Sequence, residues 1–323
     1  MASNENELLE IIRQRCADGP GVVVGIGDDA AVVTTRPGTE LVCCTDTLVG
    51  GVHFPEATAA RDIGYKSLAV NLSDLAAMGA SPRWALLALT LPHGDPQWLN
   101  EFLDGLLELA EQFGVTVIGG DLSAGPLVIN VQCLGDVADN RVLRRGTGKA
   151  GDMIAVSGSL GRASYALQRL QAGQSCNESL SEALNRPIPR LLLGQALALA
   201  QLATSAIDIS DGLLLDLERM LATTGLGADI RLVDLPVDDE LAQLSPEDAW
   251  TMCLAGGDEY ELLFSLPAAR QNELERLAQA QGIRLTVIGA ISSLPGIRCQ
   301  RPDGSLFKPQ DTGFQHFLDS EPA

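Results

Sequence analysis

The residues best suited to chemistry are short carboxylates that stand beside glycines or next to β-rich runs. Magnesium prefers oxygen ligands and is commonly held by a few carboxylates together with substrate phosphates. Glycine next to an aspartate lets a phosphate approach the backbone closely. This pattern predicts a magnesium-dependent enzyme that acts on phosphate esters. The aspartates concerned are Asp28, Asp29, Asp46, Asp74, Asp121, Asp208 and Asp211.

Any one of these aspartates is equally compatible with a turn or a helix cap. The metal interpretation depends on the whole set, and on a chain that has only 3 histidines. Asp208-Ile209-Ser210-Asp211-Gly212 is also typical of a helix start, with Ser210 as its N-cap. Free amides at such a start bind phosphate well, although most serines at this position only cap the helix.

A second candidate phosphate site lies at Arg144-Arg145-Gly146-Thr147-Gly148-Lys149. It is not a Walker A motif, because Leu143 and Ala150 stand where that motif needs Gly and Ser or Thr. The two arginines could clamp a phosphate in bidentate fashion, or could belong to a solvated loop between domains. His53 is a lone histidine, and such residues are more often structural. Its position just after Asp46, beside the proposed metal ligands, favours a substrate contact.

Charge and composition exclude several classes of partner. A formal net charge of −20 repels nucleic acids and anionic lipids. No basic segment followed by an apolar run begins the chain, and no apolar run is long enough to span a membrane. The 7 cysteines include no Cys-x-x-Cys pair, so we expect reduced thiols in a cytoplasmic protein and no zinc site.

Hydrophobic periodicity predicts strands and helices in both halves of the chain, without strict alternation. Helices are expected over Asp62–Met78, Trp98–Phe113 and Gly212–Thr223. Strands are expected over Leu41–Thr45, which ends on Asp46, over Val115–Ile118, which leads into Asp121, and over Met153–Ser157, and Arg284–Ile291 is expected to be the last strand. The fold class is therefore α/β (α+β), with two mixed domains that share a cleft. The Gly-rich break at Arg144–Asp152 suggests domains at 1–150 and 151–323.

Taken in order, the motifs resemble the thiamine-monophosphate kinase family of the aminoimidazole ribonucleotide synthetase-like superfamily. The resemblance runs from about residue 20 to Phe317, over nearly the whole chain. The motifs that carry it are Gly27-Asp28-Asp29-Ala30, Thr45-Asp46-Thr47, Lys66 to Ala80, Ile118-Gly119-Gly120-Asp121, Ala206 to Leu213, Gly257 to Leu262 and Gly313 to Phe317.

The resemblance implies a homodimer that transfers a phosphoryl group from ATP to thiamine monophosphate, in line and with several Mg²⁺ ions. It implies metal contacts at Asp29, Cys44, Thr45, Asp46, Asp74, Asp121, Asp208 and Asp211. The ATP contacts would be Gly120, Asp121, Arg145 and Ser210, and those to thiamine phosphate His53, Asp258 and Phe314. The family often reads Gly-Gly-Glu-Asp-Tyr-Glu, whereas here Asp258 precedes Glu259, which leaves open which acid faces the substrate.

Three other readings remain open from the sequence. Two are further enzymes of the superfamily, aminoimidazole ribonucleotide synthetase and selenophosphate synthetase. The second of these usually has an N-terminal cysteine in a Gly-rich loop, and Cys16 has no such setting. The third is a non-catalytic nucleotide-binding or thiamine-phosphate-binding protein without metals, which the intact aspartate set argues against.

Overall fold

The computed structural model describes residues 4–317, and the chain divides into two compact units after Val142. Both units mix helices with sheets, as the sequence predicts. The elements of the first unit are α1 (Glu5–Arg15), β1 (Val22–Val24), β2 (Val32–Val33), β3 (Thr39–Val49), α2 (Ala60–Ala77), β4 (Ser81–Leu91), α3 (Pro96–Phe113), β5 (Thr116–Ala124) and β6 (Val128–Ala138).

The first unit is built on a four-stranded sheet in the order β3-β6-β4-β5. Helix α2 is buried along nearly all of its length, because it packs against both this sheet and α3. Its contact with α3 depends on two glycines. A Cβ at Gly64 would lie 1.9 Å from the Phe102 carbonyl oxygen, and one at Gly105 would lie 1.8 Å from the Arg61 carbonyl oxygen. The two backbones therefore touch, which fixes the position of α2 over β3.

The second unit has a seven-stranded sheet in the order β13-β12-β9-β11-β7-β10-β8. Strand β10 is buried throughout and pairs antiparallel with β7 and β8. The elements are β7 (Met153–Ser157), α4 (Arg162–Gln171), α5 (Glu178–Asn185), α6 (Leu191–Ala200), β8 (Ser205–Asp208), α7 (Leu213–Leu221), β9 (Gly227–Arg231), α8 (Pro246–Ala255), β10 (Leu262–Leu266), α9 (Gln271–Gln281), β11 (Leu285–Ser292), β12 (Gly296–Gln300) and β13 (Leu306–Phe307).

The structure corrects several boundaries expected from the sequence. Strands β3 and β5 continue past the aspartates, so Asp46 and Asp121 lie within strands and not at their ends. Arg284–Ile291 is not the last strand, since β12 and β13 follow it. Among the described residues, none of the helices combines the length and apolar character needed to cross a bilayer. All seven cysteines are free thiols.

Candidate active site

Two aspartates of the first unit, Asp46 on β3 and Asp74 on α2, raise the pKa of the same two thiols, Cys44 and Cys133. The Cys44 Sγ–H donates to the Asn71 carbonyl oxygen at 3.3 Å, which ties β3 to α2. Burial raises the pKa of the Cys44 thiol, and the charges of Asp74 and Asp46 raise it further. Burial and the same two carboxylates raise the pKa of Cys133 to about 12. The aspartates therefore create a local concentration of negative charge, as a divalent-cation site requires.

Asp121 belongs to a row of paired residues that crosses all four strands of the sheet and is polar on three of them. Thr47 pairs with Asn130, Asn130 with Ala88, and Ala88 with Asp121. The Asn130 side-chain amide donates to the Thr45 Oγ1 at 3.1 Å and the Thr47 Oγ1 at 2.8 Å. Asn130 thus links β3 to the row that holds Asp121. The sequence did not single it out, because Asn130 belongs to the ordinary alternation of apolar and polar residues in β6, as Gln132 does.

Gly120 can only be glycine at its position in β5. Its φ is 154°, and an added Cβ would lie 1.7 Å from the carbonyl oxygen of Leu87. The neighbouring Asp121 accepts a hydrogen bond from the Ser123 hydroxyl at 2.9 Å. The Gly-Asp pair therefore leaves bare backbone next to a carboxylate, the arrangement that suits a phosphate bridged to a cation.

His53 follows β3 in a tight turn and has a fixed orientation. The Val49 N–H donates to its Nδ1 at 2.9 Å, so the ring proton of neutral His53 lies on Nε2. Lys66 on α2 is only 2% exposed, and its Nζ donates to the His53 carbonyl oxygen at 3.5 Å. His53 can therefore act as a hydrogen-bond donor through Nε2.

The remaining N-terminal candidate, Asp29, lies exposed in the loop between β1 and β2. Its backbone N–H donates to the Asp28 carboxylate at 2.8 Å. Within residues 4–317, the protein has no group of three or more His, Cys, Asp or Glu side chains placed to hold a metal ion on their own.

In the second unit, the turn from β8 to α7 is organised by Asp216. Its Oδ2 accepts hydrogen bonds from the backbone N–H groups of Ser210, Asp211 and Gly212 at 3.0, 3.0 and 3.1 Å. The N-cap of α7 is Gly212, with φ 135° and no capping side chain. The prediction that Ser210 is the N-cap of this helix is therefore wrong. The amides at the start of the helix are not free either, because the buried Asp216 carboxylate accepts their hydrogen bonds.

Asp208 and Asp211 differ in their surroundings within this turn. Asp208 is 6% exposed at the end of β8. Asp211 forms an ion pair with Arg219, and the same Arg219 Nη1 donates to the Asp216 Oδ1 at 2.8 Å. Burial raises the pKa of Asp216, whereas the Asp211 N–H and Arg219 oppose that rise. A cation bound at Asp211 would therefore compete with Arg219.

Three segments that are distant in sequence meet at this turn. The Asp258 N–H donates to the Ser210 carbonyl oxygen at 2.8 Å, and the Tyr260 N–H donates to that of Ile209 at 2.8 Å. The Phe314 N–H donates to the carbonyl oxygen of Asp211 at 2.9 Å, and 44% of Phe314 is exposed. The structure therefore brings together the backbones of Ser210, Asp211, Asp258 and Phe314.

The acids around Asp258 serve different partners. The Glu261 carboxylate forms a two-pronged ion pair with Arg190, with 2.7 Å from Nε to Oε2, and accepts from the Ser157 hydroxyl at 2.5 Å. Glu259 Oε1 accepts from the Gly161 N–H at 3.0 Å. Asp258 contacts the Tyr260 hydroxyl at 3.3 Å. Nothing in the sequence around Arg190 marked it as a partner of this turn.

The loop that carries Arg144 and Arg145 is hydrogen-bonded to β8 and α7 of the second unit. The Ala206 N–H of β8 donates to the Arg144 carbonyl oxygen at 3.1 Å, and the Gly146 N–H donates to that of Met220 on α7 at 2.9 Å. Both arginine side chains are exposed. The loop backbone is thus fixed while its two guanidinium groups face solvent.

Comparison with known proteins assigns this arrangement to a family. The chain matches the models of the AIR synthase related protein N-terminal domain over residues 27–137 and C-terminal domain over residues 149–300. A thiamine-monophosphate kinase of Haemophilus influenzae is 37% identical over 333 residues, which covers 99% of this chain and 100% of the relative. The chain belongs to the thiamine-monophosphate kinase family. The resemblance drawn from the motifs is therefore confirmed.

Solved structures of this family share the fold. A thiamine-monophosphate kinase from Stenotrophomonas maltophilia K279a superposes with a TM-score of 0.85 at 42% identity, covering 95% of this chain and 99% of that one. A structure described as AaThiL complexed with AMPPCP and TMP gives a TM-score of 0.76 at 28% identity, with 97% of each chain covered. The mixed α/β fold with two AIR synthase-type domains is confirmed.

Proposed function

We propose that this thiamine-monophosphate kinase family member transfers the γ-phosphoryl group of ATP to thiamine monophosphate, giving thiamine diphosphate and ADP. The observation that carries the proposal is similarity along the whole chain to proteins of that name. The AaThiL structure complexed with AMPPCP and TMP supports the choice of both substrates. ATP is the co-substrate, and the phosphate of thiamine monophosphate is the acceptor.

We assign magnesium to the predicted carboxylate set, with Asp29, Asp46, Asp74, Asp121, Asp208 and Asp211 as charged ligands. The joint effect of Asp46 and Asp74 on Cys44 and Cys133 supports this assignment, because such crowded negative charge favours a divalent cation. Because Mg²⁺ prefers oxygen ligands, Cys44 would contribute its backbone carbonyl oxygen, alongside Thr45. Phosphate oxygens and water would complete the coordination of Mg²⁺.

The residues assigned to ATP are Gly120, Asp121, Arg145 and Ser210. The bare backbone at Gly120 and the exposed guanidinium of Arg145 support this assignment. Because the amides of Ser210 and its neighbours already bond to Asp216, Ser210 would contact ATP through its hydroxyl. Bound magnesium would neutralise phosphate charge as the two anions approach each other.

The residues assigned to thiamine monophosphate are His53, Asp258 and Phe314. His53 would donate its Nε2–H to a phosphate oxygen, and Phe314 would stack on a ring of the thiamine moiety. The carboxylate of Asp258 would face the cationic thiamine. The acceptor phosphate is already a nucleophile at neutral pH, so no residue needs to act as a strong base. We infer direct in-line transfer, which predicts inversion at the transferred phosphorus.

We also propose that the protein is a cytoplasmic homodimer. Seven free cysteines support a reducing compartment. The homodimer rests on the family resemblance, and sedimentation of the purified protein at several concentrations tests it. A mass equal to one chain at all concentrations would contradict it.

The test of the activity is incubation of the purified protein with ATP, Mg²⁺ and thiamine monophosphate, followed by chromatography of the thiamine esters. We expect thiamine diphosphate and ADP in equal amounts, and no product with Asp74→Asn. Glu111→Gln, an exposed position on α3, serves as a matched charge-loss control with normal activity. Thiamine phosphate binding without product would favour a non-catalytic binding protein, and turnover of a ribonucleotide amidine instead would favour a different superfamily enzyme.

A further inference from the structure

The turn that carries Asp258 has an unfavourable backbone. Asp258 has φ 65° and Tyr260 has φ 49°, and neither is glycine. Each such residue costs stability and persists only when the surrounding structure holds it in place. Backbone hydrogen bonds from Asp258 to Ser210 and from Tyr260 to Ile209 hold one side of the turn. The residue between them, Glu259, holds the turn from the other side through its side chain, which accepts a hydrogen bond from Gly161.

Glu259 reaches from the turn to the start of α4. Helix α4 has Gly161 as its N-cap, with φ 95° and no capping side chain of its own. A Cβ there would lie 2.6 Å from Leu241 Cδ2 and 3.2 Å from Cys253 Sγ, so no serine, threonine or aspartate can stand at this position. The Gly161 N–H donates instead to Glu259 Oε1 at 3.0 Å. The N-terminus of α4 is therefore capped by the side chain of Glu259, which lies far from it in the sequence.

The length of the side chain matters for this contact. An aspartate is one methylene shorter and cannot span the same gap from an unchanged backbone. In this chain the longer acid stands at position 259, where it meets Gly161, and the shorter one at position 258, beside Tyr260.

We infer that Glu259 is a positioning residue for thiamine monophosphate, which fixes Asp258 by anchoring the strained turn to the N-terminus of α4. The inference rests on the proposed function, because Asp258 is taken to face the substrate. Glu261, bound to Arg190, anchors the other end of the turn. With both anchors in place, Asp258 keeps its left-handed conformation; without Glu259 the segment relaxes and the carboxylate moves.

The test compares three variants by steady-state kinetics with each substrate in turn. Glu259→Ala and Glu259→Asp lose the contact with Gly161, and we expect KM for thiamine monophosphate to rise at least about tenfold while KM for ATP stays unchanged. Glu259→Gln keeps an oxygen that can accept from the Gly161 N–H, so we expect its KM for thiamine monophosphate to stay near that of the wild type. If the alanine variant does not fold, the aspartate and glutamine variants carry the comparison.

Asn177→Ala is the matched control. Asn177 caps the neighbouring helix α5 by accepting from the Leu180 N–H at 2.9 Å, and it has no contact with the turn. We expect it to lower Tm without changing either KM. An equal rise of both KM values in the Glu259 variants, a glutamine variant as impaired as alanine, or wild-type KM in the alanine variant would each overturn the inference. Lack of turnover by the wild-type protein would instead count against the proposed activity.

Discussion

Side-chain length separates the roles of neighbouring acids in the turn from Asp258 to Glu261. The sequence shows three carboxylates within four positions and gives no means of ranking them. Their partners lie far away along the chain, at Gly161 for Glu259 and at Arg190 for Glu261. Glu259 and Glu261 therefore anchor the turn to other parts of the second unit. Asp258 contacts the Tyr260 hydroxyl at 3.3 Å and is the acid proposed to face the substrate.

His53 provides a prediction about substrate recognition. Its Nδ1 accepts a hydrogen bond from the Val49 N–H, so neutral His53 carries its proton on Nε2, the atom through which we propose that it donates to a phosphate. We expect His53→Ala to raise KM for thiamine monophosphate by about tenfold, the loss of about one charge-assisted hydrogen bond, with little change in KM for ATP. His93→Ala removes an exposed histidine of the same unit and should change neither constant. Identical kinetics for both variants would contradict the assignment of His53.

Glu259 also predicts a pH dependence of stability. Burial and the nearby Glu261 and Asp258 raise its pKa to about 8, against the opposing N–H of Gly161, and the Cys253 thiol faces it as well. An unfolded glutamate titrates near about 4.3, so the folded state binds an extra proton between these values. The stabilisation of the folded state that comes from the raised pKa of Glu259 is therefore complete below about pH 4.3, and it is lost as the pH rises through the folded pKa.

The comparison of wild type with Glu259→Gln tests this behaviour. We expect the free energy of unfolding of the wild type, relative to the variant, to decrease with pH between about 5 and 8, by at most about 1.4 kcal/mol per pH unit. Urea unfolding at several pH values measures it. A constant difference across this range would show that Glu259 titrates normally. Glu111→Gln on α3 supplies the control for loss of an exposed carboxylate.

At the scale of elements, the β8–α7 turn depends on Asp216 rather than on Ser210. Asp216 is 1% exposed and accepts three backbone N–H groups with one oxygen. We expect Asp216→Ala to destabilise the protein by about 2–4 kcal/mol, because three backbone donors, one buried and two partly buried, lose their acceptor. Asp216→Asn keeps one oxygen and should cost about 1 kcal/mol. Urea unfolding measures both; equal effects of the two variants would show that charge, and not the shared acceptor, is decisive.

The same turn shows which parts of the fold were predictable. Local patterns gave α2, α3 and β7 nearly to the residue, because apolar periodicity and the stop at Gly114 are contained in the segment itself. The Ser210 cap was predicted wrongly because its competitor, Asp216, lies inside the helix and reaches back to the turn. Strands β3 and β5 were predicted too short because pairing across the sheet carries them through polar residues.

The candidate site follows the same division. Residue types and motif order select Asp46, Asp74, Asp258 and Phe314 as candidates, and this selection stays a prediction. The contacts that position them were not visible, since they join segments far apart in sequence. Asn130 links β3 to the row of Asp121, and Arg190 anchors Glu261. Such partners leave no local pattern, and only the folded backbone brings them together.

At the scale of the whole molecule, net charge constrains how the substrates bind. The chain carries −20 at neutral pH, and both proposed substrates present phosphates. Long-range repulsion is therefore the default, and it is screened only beyond about 8 Å at physiological ionic strength. Exposed guanidinium groups at Arg144 and Arg145 offset part of it locally. The carboxylate-rich segments need cations before an anionic ligand can approach them.

This charge balance predicts a strong dependence of ATP binding on magnesium. With EDTA present, we expect the Kd for ATP measured by equilibrium dialysis to rise at least tenfold, about 1.4 kcal/mol or more, because the aspartates then face the triphosphate without compensation. Raising choline chloride to about 0.5 M should recover part of the loss by shortening the screening length. Asp74→Asn removes one negative charge of the aspartate set. It should therefore reduce the difference between the Kd for ATP in Mg²⁺ and the Kd in EDTA. An unchanged Kd in EDTA would mean that ATP binds through the arginines alone and that the aspartates serve only the fold.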